Sequence, residues 1–226
     1  RVLFRSGQPL PEVSCYGYRQ RCVLNGTCIT EMCDQLPNTP PALALGLERR
    51  VPELCFMRTH QGLVMVSLHM GNWEINTLAA HKAGLALAGA YQKIKNPLVD
   101  SMIRDMRLPF YPMGLFSKGH EAAKALLKVV RDGHVVALMA DLREGRGLSV
   151  PFFGRPAPSN PFPAILARGR AVPLLAACVI RTAIGQYRVE VRSIPVPATA
   201  DREQDILTIT AAIQACFEEM IHAHPE

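Results

Sequence analysis

The sequence predicts an α/β fold, a single domain with a mostly parallel central sheet, an antiparallel edge and helices on both faces. Short apolar runs alternate with helical patterns over most of the 226 residues, which is typical of parallel strands joined by crossover helices. Two strand-like runs, residues 172–181 and 187–194, follow one another directly, as antiparallel neighbours do. The composition, with 49% hydrophobic and 19% charged residues, is that of a globular domain with one sizeable core.

The α/β core is predicted to span residues 61–226, and residues 1–60 are predicted to form a helical layer of the same domain. Within this N-terminal layer, loosely spaced apolar positions predict helices over residues 13–36 and 43–59, with a proline-rich break between them.

Each element of the core is predicted from the spacing of its apolar residues. Continuous apolar runs predict buried strands at residues 63–68, 85–91, 134–140, 172–181 and 187–194. Apolar positions that recur every three or four residues predict helices at residues 72–82, 96–107, 119–131, 160–168 and 202–223. Residues 109–112 are predicted to be a short extended piece, and residues 142–147 a polar loop suited to lining a site.

Charge and cysteine content narrow the class of protein. A formal net charge of +6 favours anionic partners, such as phosphate-bearing lipid, a membrane surface, an acidic carrier protein or nucleic acid. Nucleic acid is the least favoured, because the sequence has no zinc-finger spacing, no aromatic-rich basic strand and no dense block of Lys and Arg. None of the seven cysteines forms a Cys-x-x-Cys pair, so we expect a reduced, cytosolic setting and no metal.

The stretch at residues 69–74, His-Met-Gly-Asn-Trp-Glu, follows the first predicted core strand. His69 therefore lies at the carboxyl end of a strand, where open α/β sheets place their ligand crevices. A histidine suits proton transfer near neutral pH, and Glu74 can fix its tautomer if Gly71 lets the chain turn. The pair also has a structural interpretation, in which Glu74 is an acid stabilised by the helix dipole. The isolated pair slightly favours that interpretation.

Residues 69–74 resemble the His-x4-Asp/Glu box of glycerolipid and lipid A acyltransferases. The His-x-Gly-Asn-Trp-Glu form is similar to the lauroyl/myristoyl branch of lipid A biosynthesis. Three downstream stretches agree with that branch in order and approximate spacing, namely residues 95–98 with Arg104, residues 140–141 and residues 150–157. The resemblance covers roughly residues 51–175.

The resemblance implies a glycerolipid acyltransferase-like fold. It implies transfer of a fatty acyl group from a thioester, on acyl carrier protein or coenzyme A, to a hydroxyl of a lipid or glycolipid acceptor. No cofactor is expected besides this acyl co-substrate. His69 is predicted as the general base, Glu74 as the residue that orients it, and Asp141 as a further catalytic residue. The predicted substrate-binding residues are Arg104, Asn72, Lys95 and Arg143.

Two of these residues also have structural interpretations. The planar fork of Arg104 suits phosphate oxygens, but the same side chain can pair with Asp100 or Asp105 on a helix surface. Asp141 can orient the site, or it can cap its loop by accepting hydrogen bonds from backbone amides.

The sequence does not identify the acceptor molecule. It departs from the family pattern after Asp141, where Leu142 and Arg143 follow instead of the usual glutamine. We expect the chain to act at the cytoplasmic face of the bacterial inner membrane, either peripherally or anchored by a segment outside this sequence. Two alternatives remain, a catalytically silent protein that binds lipid or acyl chains, and an acyl thioester hydrolase.

Overall fold

A computed structural model describes residues 62–82, 84–183 and 186–225, together with the backbone of two short N-terminal strands. The strands are β1 Cys22–Leu24, β2 Thr27–Cys28, β3 Leu63–Ser67, β4 Leu87–Tyr91, β5 Leu115–Ser117, β6 Val135–Met139, β7 Leu148–Phe152, β8 Arg155–Ser159, β9 Leu174–Ala183 and β10 Gln186–Ile194. The described helices are α1 Ile75–Lys82, α2 Pro97–Arg107, α3 His120–Arg131, α4 Phe162–Arg170 and α5 Arg202–Ala223, and a 3-10 helix, Leu108–Phe110, follows α2.

Eight strands form one mixed sheet in the order β2-β1-β10-β9-β3-β6-β4-β5, and β7 and β8 form a separate hairpin. The run from β9 to β5 is parallel throughout. Antiparallel pairing joins β9 to β10 and β1 to β2, while β1 lies parallel to β10. The predicted α/β class, with a mostly parallel sheet and an antiparallel part, is confirmed.

Both faces of the sheet are covered, as the continuous apolar strands require. Along β3, Val64 and Val66 face one core, in which α3, α4 and α5 pack. Leu63 and Met65 face the other core, which includes Ile75 of α1. Because successive side chains of a strand point to opposite faces, strands such as β3 are apolar at every position.

The structure corrects three local predictions. Leu108–Phe110 is a 3-10 helix where an extended piece was predicted, because Pro109 fixes a φ angle that also suits a helical turn. The short strand β5 was not predicted, since three residues carry almost no alternation. Cys22–Leu24 and Thr27–Cys28 are strands inside the segment predicted as helix 13–36. The rest of the predicted N-terminal helical layer lies outside the described residues.

The carboxyl ends of β3, β6 and β4 lie side by side, because these strands are parallel neighbours. Residues that follow them therefore meet at one edge of the sheet. Within the part of the chain that the structure describes, no helix has the length and apolarity needed to cross a bilayer.

Candidate active site

His69 and Asp141 come from the ends of two adjacent strands. Ser67, the last residue of β3, pairs with Met139, the last residue of β6. The ladder continues one step further, as the Ala140 N–H donates to the Ser67 carbonyl at 2.9 Å. Strands β3 and β6 therefore end at the same level of the sheet, which places His69 beside Asp141.

The Asp141 carboxylate contacts His69 twice. Its Oδ2 accepts a hydrogen bond from the backbone N–H of His69 at 2.8 Å, and its Oδ1 lies 2.8 Å from Nδ1 of the imidazole. An ionised carboxylate can only accept, so in the neutral imidazole Nδ1 carries the proton and Nε2 has a free lone pair. The histidine side chain is 34% exposed, and the described residues make no hydrogen bond to Nε2.

Glu74 is held by a different partner. Nε and Nη2 of Arg107 both donate to Oε1 of Glu74, at 3.0 and 2.6 Å. The Arg107 guanidinium also lies 5.1 Å from the centre of the Trp73 ring, which in turn meets the His69 ring edge-on at 5.5 Å. Trp73 therefore contacts both the Arg107 guanidinium and the imidazole.

These contacts correct one predicted relationship, the orientation of His69 by Glu74. The turn at residues 71–74, in which Gly71 has φ +55°, leads directly into α1. It places the Glu74 carboxylate where Arg107 donates to it. Asp141 occupies the position at Nδ1. The orienting carboxylate is thus 72 residues from the histidine in sequence, and the catalytic roles of all three residues stay predictions.

A cleft of about 710 Å³ opens at His69 and extends between the sheet edge and the surrounding helices. This volume lies within the roughly 300–1,000 Å³ range of sites that bind small ligands. Much of its lining is apolar and includes Met65, Ala80, Leu87, Leu126 and Phe162. The cleft is therefore able to take an elongated apolar group next to the imidazole.

The predicted substrate-binding residues divide into two groups. Arg143 lines the cleft, and it has no ion-pair partner among the described residues. Arg104, Lys95 and Asn72 are not among the described residues that line it. Arg104 is half exposed, with Asp105 at 3.9 Å as in the structural interpretation of this residue, and the Asn72 carbonyl accepts from the Ile75 N–H at the start of α1.

Positive charge gathers at the mouth of the cleft. Lys118 and Arg143 both line it, as does Glu144, which Lys118 contacts at 2.6 Å. The hydrogen bond and charge of Lys118 lower the pKa of the Glu144 carboxyl, so that this pair stays ionised at neutral pH. Arg143 is thus the cation in this group that is left to meet an anionic substrate.

Two features of the cleft were not predicted. Arg107 lines it one helical turn beyond Arg104, and the motif spacing did not distinguish the two arginines. Ser67 accepts a hydrogen bond from Asn76 Nδ2 at 2.7 Å and donates to the Ala177 carbonyl at 2.8 Å. No sequence pattern marks such a contact.

The C-terminal helix also supports the site. Gln214 of α5 is buried, and its Nε2 donates to the Ala140 carbonyl at 2.9 Å. Ala140 directly precedes Asp141, so this hydrogen bond fixes the backbone from which the aspartate projects. Among the described residues, no group of three His, Cys, Asp or Glu side chains is placed to hold a metal ion.

A family comparison assigns the chain to the acyltransferases. The model of the bacterial lipid A biosynthesis acyltransferase family matches residues 56–226, and the chain belongs to that family. The resemblance inferred from residues 69–74 is thereby confirmed. The family is membrane-associated in bacteria and transfers acyl groups to a lipid acceptor. Comparison with curated proteins gives no significant match.

Proposed function

We propose that this chain transfers a fatty acyl group from a thioester, carried by acyl carrier protein or coenzyme A, to a hydroxyl of a lipid or glycolipid acceptor. His69 is the general base in this proposal, and Asp141 is the residue that orients it. The observation that carries the proposal is the double contact of Asp141 with His69 at the mouth of an apolar cleft.

The chemistry follows from the free Nε2. As the acceptor oxygen attacks the thioester carbonyl, Nε2 takes the hydroxyl proton, and the nearby carboxylate stabilises the imidazolium that forms. The tetrahedral intermediate then collapses, the carbon–sulfur bond breaks, and the departing thiolate takes the proton from Nε2. An ester and a thiol result, and the enzyme returns to its starting state.

The other cleft residues suit the two substrates. The apolar lining suits the hydrocarbon chain, because moving a methylene group out of water contributes about 0.8 kcal/mol. Arg143 at the mouth suits a phosphate or another anion on the donor or acceptor. Acyl carrier protein and coenzyme A thioesters are cytoplasmic, so we place the reaction at the cytoplasmic face of the inner membrane.

The test is acyl transfer by the purified full chain, with acyl carrier protein and coenzyme A thioesters of several chain lengths and a bacterial lipid extract as acceptor. Mass spectrometry of the lipids would detect the new ester. We expect His69→Ala to reduce the rate by about a hundredfold or more, the usual contribution of a general base. His81→Ala is the matched control, since His81 lies on α1 and does not line the cleft.

Other products would point to the alternative functions. Free fatty acid released equally with and without lipid extract would indicate a thioester hydrolase, and recovery of intact donor from the protein would indicate a binding protein. Unchanged ester formation by His69→Ala would rule out the proposed mechanism.

A further inference from the structure

Helix α2 exposes two large apolar side chains on one face, while its other apolar residues Val99, Ile103 and Met106 are half-buried. Its one buried residue is the acid Asp100, whereas Leu98 is 80% exposed and Met102 is 56% exposed. Leu98 and Met102 are four residues apart and therefore share one face. Burying an acid while exposing two large apolar side chains is unfavourable in water, so this arrangement calls for a reason.

The inward orientation of Asp100 is fixed by its hydrogen bonds. Its Oδ1 accepts from the Ile94 N–H at 2.8 Å, and its Oδ2 accepts from the Tyr91 hydroxyl at 3.2 Å. Arg107, which follows Asp100 by seven residues on the same face, reaches Glu74. With Asp100 and Arg107 bound to the protein in this way, Leu98 and Met102 lie on the other side of the helix and point outward.

Exposed cations flank the apolar face. Lys93 and Lys95 lie in the loop before α2 and are exposed, and Arg104 is half exposed. The exposed acid in this segment is Asp105, because Asp100 is buried. Apolar side chains between excess cations are the features that let a helix lie on an anionic lipid surface.

The same combination recurs in the β6–β7 loop. Leu142, which is 63% exposed, and Arg143 both line the cleft. Arg107, from the inward face of α2, lines the cleft as well. Exposed apolar side chains and cations thus occur on two segments that each contribute a residue to the cleft.

We propose that the outer face of α2, formed by Leu98 and Met102 with Lys93, Lys95 and Arg104, docks on an anionic phospholipid surface. The choice of a lipid surface as partner accords with the proposed function, but docking itself requires no acyl transfer. Docking holds the chain at the surface that contains its lipid acceptor.

The experiment is co-sedimentation of the purified full chain with sucrose-loaded vesicles, either of phosphatidylcholine alone or with added phosphatidylglycerol, and without acyl donor. The wild type should bind the phosphatidylglycerol vesicles more tightly. We expect Leu98→Ser combined with Met102→Ser to weaken this binding at least tenfold, since both side chains lose their apolar contact with lipid.

A charge-matched pair of variants tests the cations. Lys93→Ala combined with Lys95→Ala should weaken binding about 25-fold, because each lysine near an anionic surface contributes roughly a factor of five. Lys124→Ala combined with Lys128→Ala changes the net charge equally, but on α3. Binding by this control should fall less than threefold. Equal losses in the two charge variants would mean that net charge alone attracts the chain, and would overturn the proposal.

Two other occupants of the apolar face give different results. A second copy of the chain predicts a dimer by light scattering that Leu98→Ser with Met102→Ser converts to a monomer, with vesicle binding unchanged. Cover by another part of the same chain predicts that the double variant lowers the melting temperature by several degrees. Either result would overturn the proposal.

Activity separates this proposal from the proposed function. The Leu98→Ser, Met102→Ser variant should transfer acyl groups normally to acceptor dispersed in detergent, but at least tenfold more slowly to acceptor in vesicles. His69→Ala should bind vesicles like the wild type. Vesicle binding without acyl transfer would refute the proposed function alone, whereas acyl transfer without selective vesicle binding would refute the docking surface alone.

Discussion

Asp141 holds both the backbone and the imidazole of His69, with one carboxylate oxygen on each, at 2.8 Å. The first contact fixes where the histidine leaves strand β3, and the second fixes which ring nitrogen carries the proton. A single carboxylate therefore sets both the position and the tautomer of the histidine.

Replacing Asp141 by Asn should make the histidine adopt the wrong tautomer. An amide NH2 beside Nδ1 requires that nitrogen to accept, which moves the imidazole proton to Nε2. We expect kcat to fall about a hundredfold or more, while KM for the acyl donor changes little. Nitrogen-15 NMR of the labelled imidazole would show the exchange of tautomers, and an unchanged tautomer together with full activity would contradict this assignment.

Glu74 and Arg107 should be coupled in stability. Removal of either partner leaves the other half-buried and unpaired, so Glu74→Ala and Arg107→Ala should each destabilise the protein. The loss of stability in the double variant should be about 1 kcal/mol smaller than the sum of the two single losses. This is the coupling expected for a charge-assisted pair that is partly exposed to solvent. Urea unfolding of the four proteins measures this coupling, and additive losses would argue against the ion pair.

Arg104 and Arg107 offer a matched comparison one helical turn apart. Arg107 lines the cleft and Arg104 does not, so Arg107→Ala should reduce kcat/KM at least thirtyfold. Arg104→Ala should change it less than threefold when the acceptor is dispersed in detergent. Steady-state kinetics would distinguish them, and the reverse order would support the prediction that Arg104 binds substrate.

Because Gly89 has no side chain, there is room beside it for the ring of Tyr111, which lines the cleft. A Cβ at position 89 would lie 2.6 Å from Cε1 of Tyr111, so Gly89→Ala should cost about 1–3 kcal/mol of stability. Tyr111→Ala in the same chain should recover part of that loss by removing the clash. Gly145→Ala serves as the control, because no atom lies within 4 Å of a Cβ built there, and its effect should stay below about 0.5 kcal/mol.

The buried thiol of Cys178 should make stability depend on pH in the alkaline range. Burial, with the nearby charge of Glu190, raises the pKa of Cys178 from 9.0 to about 12. The unfolded chain therefore releases this proton first, and stability falls as pH rises from 9 toward 12. Cys178→Ala should lack this component, which amounts to at most about 1.4 kcal/mol per pH unit.

Urea unfolding of the wild type and Cys178→Ala at about pH 8 and about pH 11 would measure that difference. Cys216→Ala is a useful second variant, because burial raises the pKa of Cys216 to about 11 only. The part of the unfolding free energy that depends on the titration of Cys216 should therefore stop changing at a lower pH than the part due to Cys178. If the difference in unfolding free energy between the wild type and Cys178→Ala does not change with pH, the predicted titration is contradicted.

The sequence predicts His69 and Asp141 as site residues, because each follows a buried strand and parallel strands end at one edge. It cannot predict which carboxylate meets the imidazole, since that depends on β3 and β6 being neighbours in the sheet. Nearness in sequence favoured Glu74. The sequence also does not show which arginine of α2 lines the cleft, because the inward face of α2 is set by the hydrogen bonds of Asp100, which no local pattern reveals.

The long parallel strands and amphipathic helices were predictable because burial on one or two faces leaves a clear period. The hairpin formed by β7 and β8 could not be predicted in this way, because both of its strands contain prolines, namely Pro151, Pro156 and Pro158. Prolines are tolerated there since the hairpin is separate from the main sheet and has open edges.

The hydrogen bond from Gln214 to the Ala140 carbonyl joins α5 to the residue just before Asp141. The Ala140 N–H is held by the Ser67 carbonyl, so strand β3 and helix α5 each hold one side of this peptide. A chain cut before Gln214 would keep His69 and Asp141 but would lose the contact from α5. Helix α5 thus contributes to the candidate site without presenting a side chain to the His69 imidazole.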